Sequence, residues 1–102
     1  KEGGMALEAQ VNNMHIKENR KRIDKIDQKI LNLIAERFAL LSDILKYKIK
    51  NNLPIQDKNR EKEILKDKAE KAKTLKINHN FAKNLFKSVM AEARRIQKKN
   101  LK

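Results

Sequence analysis

The sequence predicts an all-α fold: three helices per chain, the first of them long, completed by a second copy of the same chain. Three observations carry this. The 102 residues include two glycines, Gly3 and Gly4, and one proline, Pro54, so tight turns are scarce after the first few positions. Apolar residues recur at helical spacing on both sides of that proline. The 39% apolar content allows only a small core in a single chain of this length.

The N-terminal segment Lys1-Glu2-Gly3-Gly4 looks like a cloning scar, with Met5 or Met14 as the native start. Residues 1–12 are read as a disordered tail or scar, and residues 13–102 as one helical domain. From about Asn13 to Lys50 the apolar positions keep a coiled-coil stripe. Ile16, Ile23, Ile30 and Ile44 fall on one heptad position, and Ile26, Leu33, Leu40 and Tyr47 on another. About 36 residues at 1.5 Å rise make a rod of roughly 54 Å. A compact globule of this size has a radius of gyration near ~13 Å, so the remaining 50 or so residues cannot wrap such a rod. Its stripe calls for a second copy, hence an interlocked homodimer.

The segment Asn51-Asn52-Leu53-Pro54-Ile55-Gln56-Asp57 ends the rod. Asp57 is placed to cap a second helix that runs to about Thr74, with Ile64, Leu65, Lys68 and Ala72 on one face. The pattern changes phase at Lys76-Ile77-Asn78. Asn78 or Asn80 caps a third helix, whose stripe is Phe81, Leu85, Phe86, Val89, Met90, Ala93, Ile96 and Gln97.

Several classes of function are excluded by what the chain lacks. There is no Cys, so no disulfide framework, no thiol nucleophile and no Cys-bound zinc. No apolar run approaches the roughly 18 residues of a membrane span, and no secretory h-region is present. A cytoplasmic setting is expected. His15 and His79 fall at predicted helix starts, and no carboxylate–His cluster has metal spacing. Ser42, Thr74 and Ser88 have no supporting His or Asp, which rules against a nucleophilic triad.

The informative residues interrupt the apolar stripes. Arg37 stands where the heptad position reads Ile16, Ile23, Ile30 and Ile44. A buried guanidinium costs several kcal/mol unless paired. Alone, Arg37 reads most simply as an inter-helix ion pair or a register-setting residue. Lys48 lies three turns on and shares its face. Asp57, Arg60 and Glu61 lead into Ile64, and Gln97 follows Val89 and Ala93 at four-residue steps. A cavity lined in this way suits a small dianion carrying a hydroxyl, because Arg forks bind carboxylates and acids accept a hydroxyl proton. It works by binding, orientation and electrostatics.

These residues carry a resemblance. Arg20-x-x-Ile23-x-x-Ile26-Asp27-x-x-Ile30-x-x-Leu33-Ile34-Ala35-Glu36-Arg37, then Lys48, then Pro54-Ile55-x-Asp57-x-x-Arg60-Glu61, then Leu85-Phe86-x-x-x-Met90-x-Glu92-x-Arg94-x-x-Gln97, together resemble the all-helical (type II) chorismate mutases. The match runs over about residues 16–98. The resemblance implies an intertwined helical dimer with two sites, each using both chains. It implies conversion of chorismate to prephenate, on the route to phenylalanine and tyrosine, with no cofactor and no metal. Carried over by position, Lys48, Gln97 and Arg37 form the catalytic set. Arg37 binds one substrate carboxylate, and Arg20 of the other subunit reaches the second. Lys48 and Gln97 contact the ether oxygen. Asp57 and Glu61 hold the ring hydroxyl, and Arg60 supports the site and its acids. Ala93 departs from the pattern: many relatives carry Ser there, and Ala93 has no hydroxyl to offer.

Two other readings compete. Isochorismate pyruvate lyase shares this fold and much of this site, but Asp57, Arg60, Glu61 and Gln97 together favour the mutase. A basic helical nucleic-acid-binding protein is suggested by the net charge of +13. Aromatic residues make up 4%, too few for a base-stacking platform, and no recognition motif is present. The lysines fall mostly on solvent faces, so no nucleic-acid partner and no membrane partner is expected. A purely structural coiled coil leaves Arg37 and Lys48 without a purpose.

Overall fold

A computed structural model describes the backbone of residues 2–101 and the side chains of residues 13–101. All regular structure among the described residues is helical: α1 Glu2–Ala39, α2 Leu41–Lys50, α3 Lys58–Thr74 and α4 His79–Lys99. The reading of residues 1–12 as a tail or scar falls on side chains outside the described ones. His15 lies exposed within α1 and not at a helix start.

The expected first helix of 13–50 is interrupted at Leu40. No proline or glycine is involved. Leu40 keeps right-handed dihedrals (φ −76°, ψ −13°), and its amide donates to the Arg37 carbonyl at 3.3 Å, a tightened three-residue turn. Beyond this turn two apolar rows separate. Leu41 and Leu45 are buried, whereas Leu40 and Ile44 stay exposed.

The chain divides into two units, residues 1–35 and residues 36–102. In the first, α1 carries Ile16, Ile23, Ile26, Ile30 and Leu33, all exposed. The heptad stripe is therefore real as a surface, and in the single chain it is not core.

The second unit is organised around α4, against which both α2 and α3 pack. Its core is Leu41 and Leu45 from α2, Ile64, Ala69 and Ala72 from α3, and Ala82, Val89, Met90 and Ala93 from α4. The expected α3 face holds for Ile64 and Ala72, with Leu65 and Lys68 half-buried. On α4 the outer edge of the stripe is displaced: Ala82 is buried and Phe81 is exposed.

Helix ends follow local chemistry. The Asp57 carboxylate accepts the Arg60 amide at 3.0 Å and caps α3. The Asn78 side chain accepts the Phe81 amide at 3.0 Å and caps α4. The turns that end α2 and α3 are Schellman motifs made without glycine. After α2, Asn52 adopts φ 54° while Leu53 N–H reaches the Lys48 carbonyl at 2.8 Å. After α3, Lys76 adopts φ 59° while Ile77 N–H reaches the Ala72 carbonyl at 2.9 Å. Asn tolerates this left-handed region through its short polar side chain; Lys has no such relief, and the conformation costs it about 1–2 kcal/mol.

Candidate active site

The second unit contains a cavity of about 420 Å³. The last turn of α1 supplies Arg37, α2 supplies Lys48, the 51–57 loop supplies Asp57, α3 supplies Arg60 and Glu61, and α4 supplies Ala93, Arg94 and Gln97. Apolar walls come from Leu41, Ile44, Ile64 and Met90, among others. Seven of the eight residues singled out from the sequence thus line one cavity. Arg20 lies exposed on α1 in the first unit and is not among the lining residues.

Lys48 is the hinge of the arrangement. Its backbone carbonyl anchors the Schellman turn through Leu53. Its ammonium donates to the Ile55 carbonyl at 2.5 Å, holding the same loop from the other side. It also donates to Gln97 Oε1 at 2.9 Å, bridging α2 to α4. An ammonium has three N–H donors, so one remains for a ligand. Gln97 is 4% exposed, the one buried polar side chain among the described residues. Its Nε2 donates to the Ala93 carbonyl at 3.2 Å.

The acids sit at the start of α3, where a helix N-terminus favours negative charge. Asp57 Oδ1 is used by the cap, which leaves Oδ2 free of it. Glu61 is half-buried, and its Oε2 accepts from Arg94 Nη1 at 2.6 Å. Arg60 borders the cavity but turns outward, pairing with Glu63 at 3.1 Å on the surface. Its spacing from Ile64 predicts a place beside the core face; in the structure it sits at the rim. Arg37 is half-buried and has no ion-pair partner among the described residues. Two carboxyls outside the cavity are held below their usual range. Asp67 is lowered chiefly by a hydrogen bond from Lys68 and then Lys71, and Glu92 by its fork to Arg95.

Chemically, the cavity offers cations, one amide, two carboxylates and the Tyr47 phenol, with no Ser, Thr, Cys or His among its lining residues. Among the described residues no three His, Cys, Asp or Glu side chains gather as a metal-ligand set. No helix among them is long and apolar enough to cross a membrane. Such a lining suits a small, doubly charged ligand.

The family described as "Chorismate mutase type II" matches residues 19–98, which take in every residue of this cavity and Arg20. The chain belongs to the type II chorismate mutase family. It is 37% identical over 84 residues to the chorismate mutase of Methanocaldococcus jannaschii, covering 82% of this chain and 85% of that one. It is 39% identical over 82 residues to a bifunctional chorismate mutase/prephenate dehydratase of Buchnera aphidicola, covering 80% of this chain and 21% of the relative. A protein of the same description from Aquifex aeolicus is 41% identical over 71 residues, covering 70% and 18%. The chain thus spans about a fifth of the bifunctional relatives' length. No solved structure matches it.

One charged member of this cavity, Arg94, is not among the candidates drawn from the sequence. Arg94 appeared only within the third-helix motif. Its spacing of three residues from Gln97 puts the two on one helix face, and that signal was available.

Proposed function

We propose that this domain converts chorismate to prephenate, and that Lys48, Gln97 and Arg37 carry the reaction. The observation that carries this reading is the Lys48–Gln97 pair at 2.9 Å, which sets a cation and an amide at one point of a cavity of about 420 Å³. The rearrangement is intramolecular: the ether C–O bond breaks as a C–C bond forms, and neither acid, base nor nucleophile is consumed. What the site contributes is geometry and charge. Holding the enolpyruvyl arm folded over the ring supplies up to roughly 7–11 kcal/mol in favourable cases.

Negative charge grows on the ether oxygen as its bond to the ring breaks. The free donor of Lys48 and the amide of Gln97 meet that charge where it develops, so they favour the transition state over the ground state. Gln97 Nε2 has two N–H donors: one serves the Ala93 carbonyl, and the other remains for the ether oxygen. Arg37, with no ion-pair partner among the described residues, takes one substrate carboxylate by its fork. Asp57 and Glu61 accept the ring hydroxyl, and Arg60 closes the rim. Ala93 leaves room without a hydrogen bond.

The second carboxylate needs a further cation. Here Arg20 of the partner subunit completes the site, within an intertwined homodimer. The support is the stripe Ile16, Ile23, Ile26, Ile30 and Leu33, which leaves each of these side chains 45–63% exposed in a single chain. Burying it at about 25 cal/mol per Å² is the natural driving force for pairing. We place the enzyme in the cytoplasm, acting without metal or cofactor.

The test is to incubate the protein with chorismate and, separately, with isochorismate, and to identify the products. Prephenate from chorismate is the expected result. Pyruvate and salicylate from isochorismate would assign the lyase instead, and no consumption of either would overturn the proposal.

A further inference from the structure

We infer that Arg94 is a positioning residue that works through Glu61 to fix how the site recognises the substrate's ring hydroxyl. This rests on the mutase reading above and adds a residue to it.

Arg94 and Arg95 are adjacent on α4, yet they do different things. Arg95 forks onto Glu92 on its own helix, with both bonds at 2.7 Å. Arg94 turns into the second unit and reaches Glu61 Oε2 at 2.6 Å, 33 residues away in sequence. That separation makes it a tertiary link between α3 and α4, and both partners line the cavity. Their side chains are 27% and 21% exposed, so the pair is partly shielded from solvent screening. Both features distinguish it from the short-range surface ion pairs of this chain.

The carboxylate of Glu61 is held unequally. Oε2 has the short, charge-assisted bond to Arg94, while Oε1 has only a 3.4 Å contact from Gln56 Nε2. Oε1 therefore keeps acceptor capacity, and Arg94 fixes its direction. With one oxygen clamped, the other presents its lone pairs in one orientation to an incoming hydroxyl. Without Arg94 the carboxylate is free to rotate, and it stands half-buried with one weak donor.

Arg94 is not read as a direct carboxylate binder. Its charge is already engaged by Glu61, whereas Arg37 borders the same cavity with no ion-pair partner among the described residues. The hydroxyl's own bonds are neither made nor broken in the rearrangement. A contact to it therefore serves mainly to bind the substrate, and its loss raises KM with little change in kcat.

The experiment uses the full chain, with steady-state kinetics on chorismate for Arg94→Ala, Arg94→Lys, Glu61→Gln and the double variant Arg94→Ala/Glu61→Gln. Arg94→Ala is expected to raise KM about tenfold, with kcat within about threefold of the parent. Arg94→Lys keeps the cation and recovers most of the loss. The double variant is expected to lie within about twofold of the worse single, because both changes remove one interaction. Inhibition by a cyclic dicarboxylate that mimics chorismate but lacks the ring hydroxyl is expected to be unchanged in Arg94→Ala. Effects on KM that multiply in the double variant, an unchanged KM in Arg94→Ala, or inhibitor binding weakened as much as KM would each overturn the inference while leaving the mutase reading intact. A parent protein that turns over no chorismate would overturn both. Should Arg94→Ala fail to fold by circular dichroism, Arg94→Gln keeps a donor without the charge and takes its place in the cycle.

Discussion

Lys48→Ala is the sharpest test of the proposed chemistry. The change removes one ammonium and three N–H donors from a point where α2, the 51–57 loop and α4 meet. Two of those donors serve the fold, at Ile55 and Gln97. The third is the one assigned to the ether oxygen. Loss of a single preorganised donor at developing charge costs on the order of 3–4 kcal/mol, a fall in kcat of roughly 10²–10³. The structural donors matter too. Gln97 Oε1 is left without its partner in a residue 4% exposed, which costs about 1–3 kcal/mol of stability. The melting temperature should therefore drop, and turnover must be normalised to folded protein by circular dichroism. The assay is chorismate consumption with the product identified. Lys48→Arg is the control: it keeps the charge but replaces a compact ammonium by a planar fork, so turnover should be intermediate. A folded Lys48→Ala protein with turnover within about threefold of the parent would refute the reasoning, since no preorganised cation is worth so little at the reacting oxygen.

Other outcomes follow from named contacts. Gln97→Glu should work best at acid pH. A carboxylate has no donor and a carboxylic acid has one O–H, so only the protonated form can donate to the ether oxygen. Activity should fall as pH rises through that group's titration; a flat pH–rate profile would count against Gln97 at the reacting atoms. Lys76→Gly should stabilise the fold, because it relieves a left-handed lysine on an exposed turn; the expected gain is about 0.5–1 kcal/mol after the entropy cost of glycine, read by denaturant titration. Ile30→Glu places a carboxylate on the exposed α1 stripe and should give a monomer without turnover; a dimer of normal mass by sedimentation would dismiss the stripe as the subunit interface.

How far the sequence reaches can be seen residue by residue. Asp57 and Asn78 were legible as caps because a short acceptor three residues before an amide has one common use. Pro54 was legible as a break for an equally local reason. The turn at Leu40 was not, because neither a proline nor a glycine marks it and the heptad pattern runs through it without a change of phase. The burial of Leu41 and Leu45 was hidden for a related reason. Two apolar rows lie side by side on α2, and periodicity does not say which one meets the chain's own α4. Six cavity residues, Arg37, Lys48, Asp57, Arg60, Glu61 and Gln97, were visible as charged or polar groups on apolar faces, and all six line one cavity; Ala93 was legible only through the resemblance. The outward turn of Arg60 was invisible, since Glu63 competes for it one turn on and only coordinates show which partner holds it. Arg94 and Arg95 are a similar case: adjacent and alike in sequence, they differ only in what lies within reach.

The distribution of cations sharpens what the charge of +13 means. Of twenty lysines, one lines the cavity; of six arginines, three do. Lysines do gather in a second concavity, between α3 and α4, where Lys62, Lys66, Lys73, Lys83 and Lys87 stand with Glu70. In the cavity of Arg37 and Lys48, by contrast, arginines outnumber lysine, as expected where forked donors are needed. Four cations and two carboxylates line the cavity, a net excess of two positive charges. The Arg94–Glu61 pair cancels itself and Arg60 is paired outward with Glu63, so the cations left for a ligand are Arg37 and Lys48 against Asp57, consistent with the proposal that a further cation completes the site. The lysine exterior still acts at long range, raising the local concentration of small anions, and this effect should fade with salt. Recognition inside the cavity rests on shorter and partly buried contacts. Raising ionic strength should therefore slow capture of chorismate, seen as a fall in kcat/KM, while kcat at saturation changes little. A kcat that fell in parallel would mean that the charges serving the chemical step are as exposed as the surface lysines, contrary to the burial of Gln97 and the two protein contacts of Lys48.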